Sequence, residues 1–431
     1  MEYAERRTEA LAKLDAGDPK GAFAVFRGAV GFPTVPSAEQ WEDAFQVFAR
    51  IAGVIAGEPL GARIDAAARG YADPQCLYDT AYALYEESLF EIAATLLSRA
   101  NELVPRTPAI VTELSAALEG AMLYHHAAQM LGASGLVHDD PWCGYLFAFN
   151  SLMSGSIDQA RDALAAVIPG DDANLPFAVD RVRGMLARAQ AASTVSPLDH
   201  EDLDGWHAVL NGGVLLHESV EGFSEAMRGR YAYVGDDYGL LRAGLESALA
   251  VLAAADVEVP RVIAAPDRSS RILAWAVAEI TGAPLEPLAS AIDQPGLVVV
   301  YDLDEVGDPS ALEALLQHRP GQVLWAHRSS WTNPFPYTPD LTTFLYQHCT
   351  SPWDGGALRV DPEPDHSGDE TIGARILEAD PVDSHSTPRE LLALVEALRG
   401  VSDEHAAGMF RSTGGRAQQQ KGSPVPSNRF G

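Results

Sequence analysis

Apolar residues recur at helical spacing through about the first 190 residues, and they come in pairs of short runs. In residues 74–107, PQCLYDTAYALYEESLFEIAATLLSRANELVPRT, the apolar or small positions are Leu77, Ala81 and Leu84, then Phe90, Ala93, Leu97 and Ala100, with Pro105 closing the segment. Two antiparallel helices with facing apolar stripes satisfy this pattern. Ala81 and Ala93 let the axes approach, the larger residues fill the seam, and Pro105 stops the second helix. The frame returns in residues 3–33 with Ala10, Gly17, Ala22, Phe26, Ala29 and Pro33, in 108–140 with Leu114, Leu118, Tyr124, Ala127 and Leu131, and in 141–169 with Ala148, Gly155, Ile157, Ala160, Leu164 and Pro169. A less regular helix pair fills the interval between the first two copies, and PFAVDRVRGMLARAQAA, 176–192, reads as a closing helix.

Beyond residue 192 the pattern changes. STVSPLDHEDLDG, 193–205, is polar and acidic and reads as a linker. WHAVLNGGVLLHE alternates around Asn211-Gly212, which predicts a hairpin. Strand-like and helical runs then take turns: RVIAA before SSRILAWAVAEITG, GLVVVYDL before a helix opened by Asp308 and Pro309, and GQVLWAH. That alternation predicts a parallel sheet with helices on its faces over residues 206–400. Residues 351–385 are rich in Pro, Asp and Gly and read as irregular; Thr387 and Glu390 form a capping box for PRELLALVEALRG. Residues 411–431 carry no apolar period and read as a disordered tail. The expected fold class is therefore α + α/β, a helical-repeat solenoid followed by a parallel-sheet α/β domain.

The recurrence at 33–34 residues makes the first 192 residues resemble a tetratricopeptide-repeat protein. The resemblance implies a stack of helix pairs whose concave face holds a protein or peptide. Tyr78, Tyr82 and Tyr85, on the first helix of the clearest copy, are the candidate contacts.

Composition narrows the partners. Sixty acidic residues against thirty basic ones give a formal charge of −30. Phosphate backbones and anionic membranes need a basic footprint, so neither nucleic acid nor a membrane surface is expected as a partner. Hydrophobic content of 47% excludes wholesale disorder. Lysine occurs only at positions 13, 20 and 421, with arginine in its place elsewhere, the usage of a GC-rich genome. No Walker A loop or Schiff-base lysine is therefore available between residues 21 and 420. Cys76, Cys143 and Cys349 are too few and too scattered for a disulfide framework, which fits a reducing cytoplasm. No apolar run approaches 18 residues and the charged start lacks an apolar core, so neither a span nor a secretion signal is expected. The histidines form neither HxH nor HExxH, and no metal site is expected.

In an open parallel sheet, ligands bind beyond the carboxyl ends of the strands. Those positions hold Asp267, Arg268, Ser269 and Ser270 after RVIAA, Asp302, Asp304 and Glu305 after GLVVVY, and His327 and Arg328 after GQVLWA. The order of these segments, with YDLDEVGDPS in the middle, resembles a phosphoribosyltransferase-like domain. The resemblance implies that Asp302, Asp304 and Glu305 face a ribose or magnesium, that Arg268 and Arg328 meet phosphate, and that His327 acts as acid or base. Val306-Gly307-Asp308-Pro309 stands where that family carries Thr and Gly, and Asp308 would repel the phosphate. The sequence therefore favours a protein- or peptide-binding adaptor with a non-catalytic α/β domain and no cofactor. The alternative is a nucleotide- or phosphoribosyl-handling enzyme using magnesium.

Overall fold

The computed structural model describes residues 2–221, 227–355, 363–402 and 404–427. The chain forms two compact units, Met1–Val179 and Asp180–Gly431.

The first unit is built from antiparallel helix pairs: α1 Tyr3–Asp15 with α2 Pro19–Val30, α3 Trp41–Ile55 with α4 Glu58–Arg69, α5 Pro74–Glu86 with α6 Phe90–Leu103, α7 Pro108–Gly120 with α8 Tyr124–Ser134, and α9 Pro141–Met153 with α10 Ile157–Ala166. The repeat is punctuated by a shared start signal. Pro74, Pro108 and Pro141 each sit in the first turn, where a missing N–H costs nothing. Asp73 and Asp140 precede two of them, and their carboxylates accept from free amides of that turn at 2.9–3.2 Å. Ala81, Ala93 and Ala100 are fully buried, and Leu77, Leu84 and Leu97 fill the seam beside them. The α3–α4 pair reaches the same closeness differently. A Cβ on Gly61 would meet the Ala49 carbonyl oxygen and the Gly53 Cα at 2.9 Å, so glycine stands where the other pairs use alanine.

The second unit begins within helix α11, Leu175–Ala192. Its sheet comprises β1 Val214–Leu215, β2 Tyr231–Gly235, β3 Val262–Ala264, β4 Leu285–Pro287, β5 Gly296–Asp302, β6 Gln322–Ser330 and β7 Leu341–Thr350. All pairings among them are parallel, in the order β4-β3-β5-β6-β7. β1 and β2 share the outer edge of β7, opposite Leu341–Thr342 and Tyr346–Thr350 respectively. The helices are α12 Leu203–Asn211, α13 Tyr238–Ala254, α14 Arg268–Thr281, α15 Leu288–Ala291, α16 Pro309–Leu315, α17 Asp369–Glu378 and α18 Pro388–Arg399. β5 is buried throughout, as a parallel strand covered on both faces must be. Leu297, Val299 and Tyr301 point into a core shared with α13, α14, α17 and α18; Val298 and Val300 point into one shared with α15 and α16. The chain leaves β3 outward to β4 and returns to β5 on the other side, which opens a crevice between the carboxyl ends of β3 and β5.

Four sequence expectations are corrected here. Asn211-Gly212 is a helix end: Gly212, at φ 70°, closes α12, because the left-handed conformation that suits a hairpin also suits a helix C-terminus. The polar stretch 193–205 belongs to the second unit, with Leu198 and Leu203 buried and Asp202 capping α12. Within 351–385, α17 forms, while residues 356–362 lie outside the described residues. Residues 411–427 are not a loose tail, and 428–431 lie outside the described residues. Arg416 is 5% exposed, pairs with the buried Asp340, and its Nε donates to the Leu315 carbonyl at 2.8 Å. Gln419 accepts from the Ser329 hydroxyl and Ser423 from Arg230, so polar side chains serving buried polar partners hold a segment that has no apolar period. β7, LTTFLYQHCT, is not among the strands expected from the sequence, although its Thr, Phe and Tyr residues favour one.

Removing Arg416 would strand the Asp340 carboxylate in a dry interior. Arg416→Met, or a chain ending at residue 410, is expected to destabilise the second unit by about 3–5 kcal/mol. Urea unfolding measures this, and an unchanged midpoint contradicts the packing described. In the first unit, Ala93→Trp is expected to cost about 2 kcal/mol or more by forcing α5 and α6 apart; the same titration reads it.

Candidate functional site

The strand ends named from the sequence converge, and most of their polar groups serve one another. Asp302 and Arg328 are directly opposite in the β5–β6 register, so their side chains leave the same face. The Arg328 Nε donates to Asp302 Oδ2 at 2.8 Å, its second arm pairs with Glu305, and the Tyr346 hydroxyl donates to Asp302 at 2.6 Å. The Asp304 amide donates to the other Asp302 oxygen at 3.0 Å, while the Asp304 side chain stays exposed. Burial pushes the Glu305 carboxyl up to about 7 against the pull of Arg328. On the opposite face, the Tyr301 hydroxyl donates to Asp236 at 2.6 Å, and His327 Nε2 lies 3.2 Å from the same oxygen. Tyr301, His327 and Asp236 are all fully buried.

The residues opening α14 are likewise engaged. Asp267 caps the helix through the Ser270 amide at 2.8 Å. The Ser270 hydroxyl accepts from the Tyr301 amide, and the Ser269 hydroxyl from the Trp353 indole. Arg268 donates to the carbonyls of Asp365 and Ser367 at 2.9 Å and lies 3.6 Å from Asp369. An anion at this crevice would have to draw Arg268 away from the carbonyls it serves, while Arg328 keeps one buried nitrogen, Nη1, without a hydrogen-bond partner. Cys349 is adjacent, and burial pushes its thiol up to about 12, which leaves it protonated and unreactive at neutral pH.

No family model and no curated protein matches this chain.

In the repeat unit, Tyr78, Tyr82 and Tyr85 differ in availability. Tyr78 and Tyr85 lean on the core, with Tyr85 edge-on to Phe90 at 5.1 Å. Tyr82 is 52% exposed. Glu113 on α7 is close enough to act on both Tyr78 and Tyr85, and Glu119 acts on Tyr85. Glu119 in turn accepts from Ser115 and from Asn150 of α9, at 3.0 and 2.7 Å. The first helices α5, α7 and α9 thus share one continuous strip of tyrosine, carboxylate and amide.

A second concavity escaped the sequence reading. It measures about 420 Å³ and lies where the chain emerges from β1, between the amino ends of α12 and α18. Asp204 and Glu218 line it, 9% and 3% exposed, with the Asp204 amide donating to Glu218 Oε1 at 3.0 Å. Burial, reinforced by each carboxyl's neighbouring acids, raises both above the ordinary carboxylate range, so that the pair retains a proton at neutral pH. Asp204 was hidden in a segment that read as linker. Glu218, directly after the apolar run VLLH, carried the one usable signal: an acid at the carboxyl end of a strand. Among the described residues, no group of three or more His, Cys, Asp or Glu side chains could hold a metal ion, and no helix is long and apolar enough to cross a membrane.

A carboxyl whose folded pKa is raised favours the fold below its unfolded pKa, and that contribution is lost as pH rises through the folded value. Glu218→Gln is neutral at every pH. Its melting temperature relative to the parent chain is therefore expected to climb from about pH 5 to about pH 9. A flat or falling difference in a calorimetric pH series contradicts the shared proton.

Proposed function

We propose that this chain is a polypeptide-binding adaptor of the tetratricopeptide-repeat type, and that the α5–α7–α9 strip is where the polypeptide lies. The observation that carries the reading is Tyr82: a large aromatic side chain half open to solvent, flanked by Tyr78 and Tyr85 and by the carboxylates Glu113 and Glu119. Tyrosine supplies contact area at low entropic cost and is enriched where binding energy concentrates. The acids select a segment with Lys or Arg beside an apolar anchor, in keeping with the charge of the whole chain. The buried Asn150 amide, held by Leu146, Ser115 and Glu119, fixes the floor of the strip.

For the second unit, a non-catalytic role is the proposal. Arg268 serves carbonyls, Arg328 is held by Asp302 and Glu305 with only its buried Nη1 left over, and His327 is sealed from solvent, so among the described residues the groups that phosphoribosyl chemistry would use are committed to the fold or closed to substrate.

Selection from a displayed random-peptide library against the full chain tests the reading. Recovered peptides are expected to carry basic residues next to an apolar anchor. Tyr82→Ala is expected to weaken them by about 1–2 kcal/mol, roughly 5- to 30-fold. Peptides that bind Tyr82→Ala as tightly as the parent, or no enrichment at all, reject it.

A further inference from the structure

Arg188, on α11, is a buried cation without a carboxylate. It is 6% exposed, and among the described residues it forms no ion pair. Its Nε donates to the carbonyls of Ala208 and Val209 at 3.1 and 3.0 Å, and its Nη1 to the carbonyl of His405 at 3.0 Å. The first two are among the last carbonyls of α12. Their partial negative charge orients the guanidinium but does not cancel its charge. Nη2 has no partner, yet it is not sealed in protein as Arg230 Nη1 and Arg328 Nη1 are. It is left to a cavity of about 10 Å³ that Arg188 lines with Asn211, Gly212, Gly408 and Arg411.

Arg411 brings a second charge to the same space. The Gly408 amide donates to the Gly212 carbonyl at 2.6 Å and the Arg411 amide to the Gly408 carbonyl at 2.9 Å, so the turn 408–411 closes over the end of α12. The Arg411 side chain is half-buried and, among the described residues, forms no ion pair or hydrogen bond. Burial, and after it the nearness of Arg411, pull Arg188 down to about 10. No Asp or Glu lines the cavity. Asp340 stands behind Gly408, but it is taken by Arg416 and by the Leu324 amide.

Two guanidiniums without a counter-charge therefore meet at a space the size of one small ion. We propose that this cavity binds a halide, chloride, between Arg188 Nη2 and the Arg411 guanidinium. The volume suits a single small particle rather than an extended ligand. Water would fill it but would leave both charges uncompensated. The ion joins α11 and α12 to residues 408–411, next to the Arg416–Asp340 pair, so its occupancy bears on the stability of the second unit. A chain of charge −30 repels anions over most of its surface, and specific halide binding needs a local site of this kind. The site lies within the second unit and does not rest on the peptide-binding reading.

The test uses the full-length chain and its Arg411→Gln variant in thermal melts at constant ionic strength, with sodium gluconate exchanged for sodium chloride. The difference in melting temperature between parent and variant cancels effects of salt on the rest of the surface. It is expected to grow with chloride by about 3 °C or more, the shift that a tenfold excess over the dissociation constant gives a unit of this size. Bromide should act as chloride does, and sulfate should leave the difference unchanged. In bromide-soaked crystals, anomalous scattering should place an ion between Arg188 and Arg411. Arg188→Lys, which keeps a cation at the end of α12, should reduce the chloride effect. Three results would overturn the proposal: a parent-to-variant difference that ignores chloride, a difference that grows equally with sulfate, which would assign the site to an oxyanion, or bromide found only elsewhere on the molecule.

Discussion

A carboxylate withdrawn from water organises the second unit. Asp340 is 1% exposed at the start of β7, and everything it touches belongs to a different part of the chain. Its side chain accepts from the Leu324 amide of β6 at 2.7 Å and pairs with Arg416. Its backbone carbonyl accepts from Val214 of β1, and its amide donates to Leu324. Gly408 lies against it so closely that a Cβ there would overlap the carboxylate. A charge buried this deeply is tolerable only with its partners in place, so one residue makes β1, β6, β7 and residues 408–416 mutually dependent.

The repeat unit rests on the opposite principle. Its seams are closed by residues a few turns apart, its helix starts are set by Asp and Pro within the same turn, and adjacent pairs provide most of the burial. This is why it could be read from the sequence almost helix by helix. The same holds wherever the second unit is governed locally: the Asp308–Pro309 start of α16, the Gly282 end of α14, the Thr387–Glu390 box of α18, and the unbroken apolar run of β5. Local chemistry misled where one signal serves two structures, as at Gly212, and where polar composition was read as linker, loop or tail, as at 193–205, 351–385 and 411–427.

What the sequence withheld depends on distance. Asp267 and Asp302 fall at the carboxyl ends of β3 and β5 as read, whereas His327 and Arg328 lie inside β6, which runs on to Ser330; nothing in YDLDEV or HRSS announces that Arg328 would be taken by Asp302 and Glu305, or Arg268 by the carbonyls of 365 and 367. Their partners lie 23 to 99 residues away. Asp204 and Glu218 are only fourteen residues apart, yet α12 and β1 must both form before they meet. Residues 411–427 looked featureless because, Val425 apart, the contacts that hold them are made largely by backbone and polar atoms, which leave no hydropathy pattern.

The pairing of Arg416 with Asp340 also sets an order of events during synthesis. The helices of the first unit can settle as they leave the ribosome, since each finds its neighbours within a few dozen residues. The sheet of the second unit cannot seal on the same schedule. Until residue 416 has been made and has cleared the exit tunnel, the Asp340 carboxylate lacks the guanidinium that it pairs with in the finished fold. A nascent chain stalled before that point would carry one finished unit and one unfinished unit with an exposed apolar sheet, the form most exposed to chaperones and proteases.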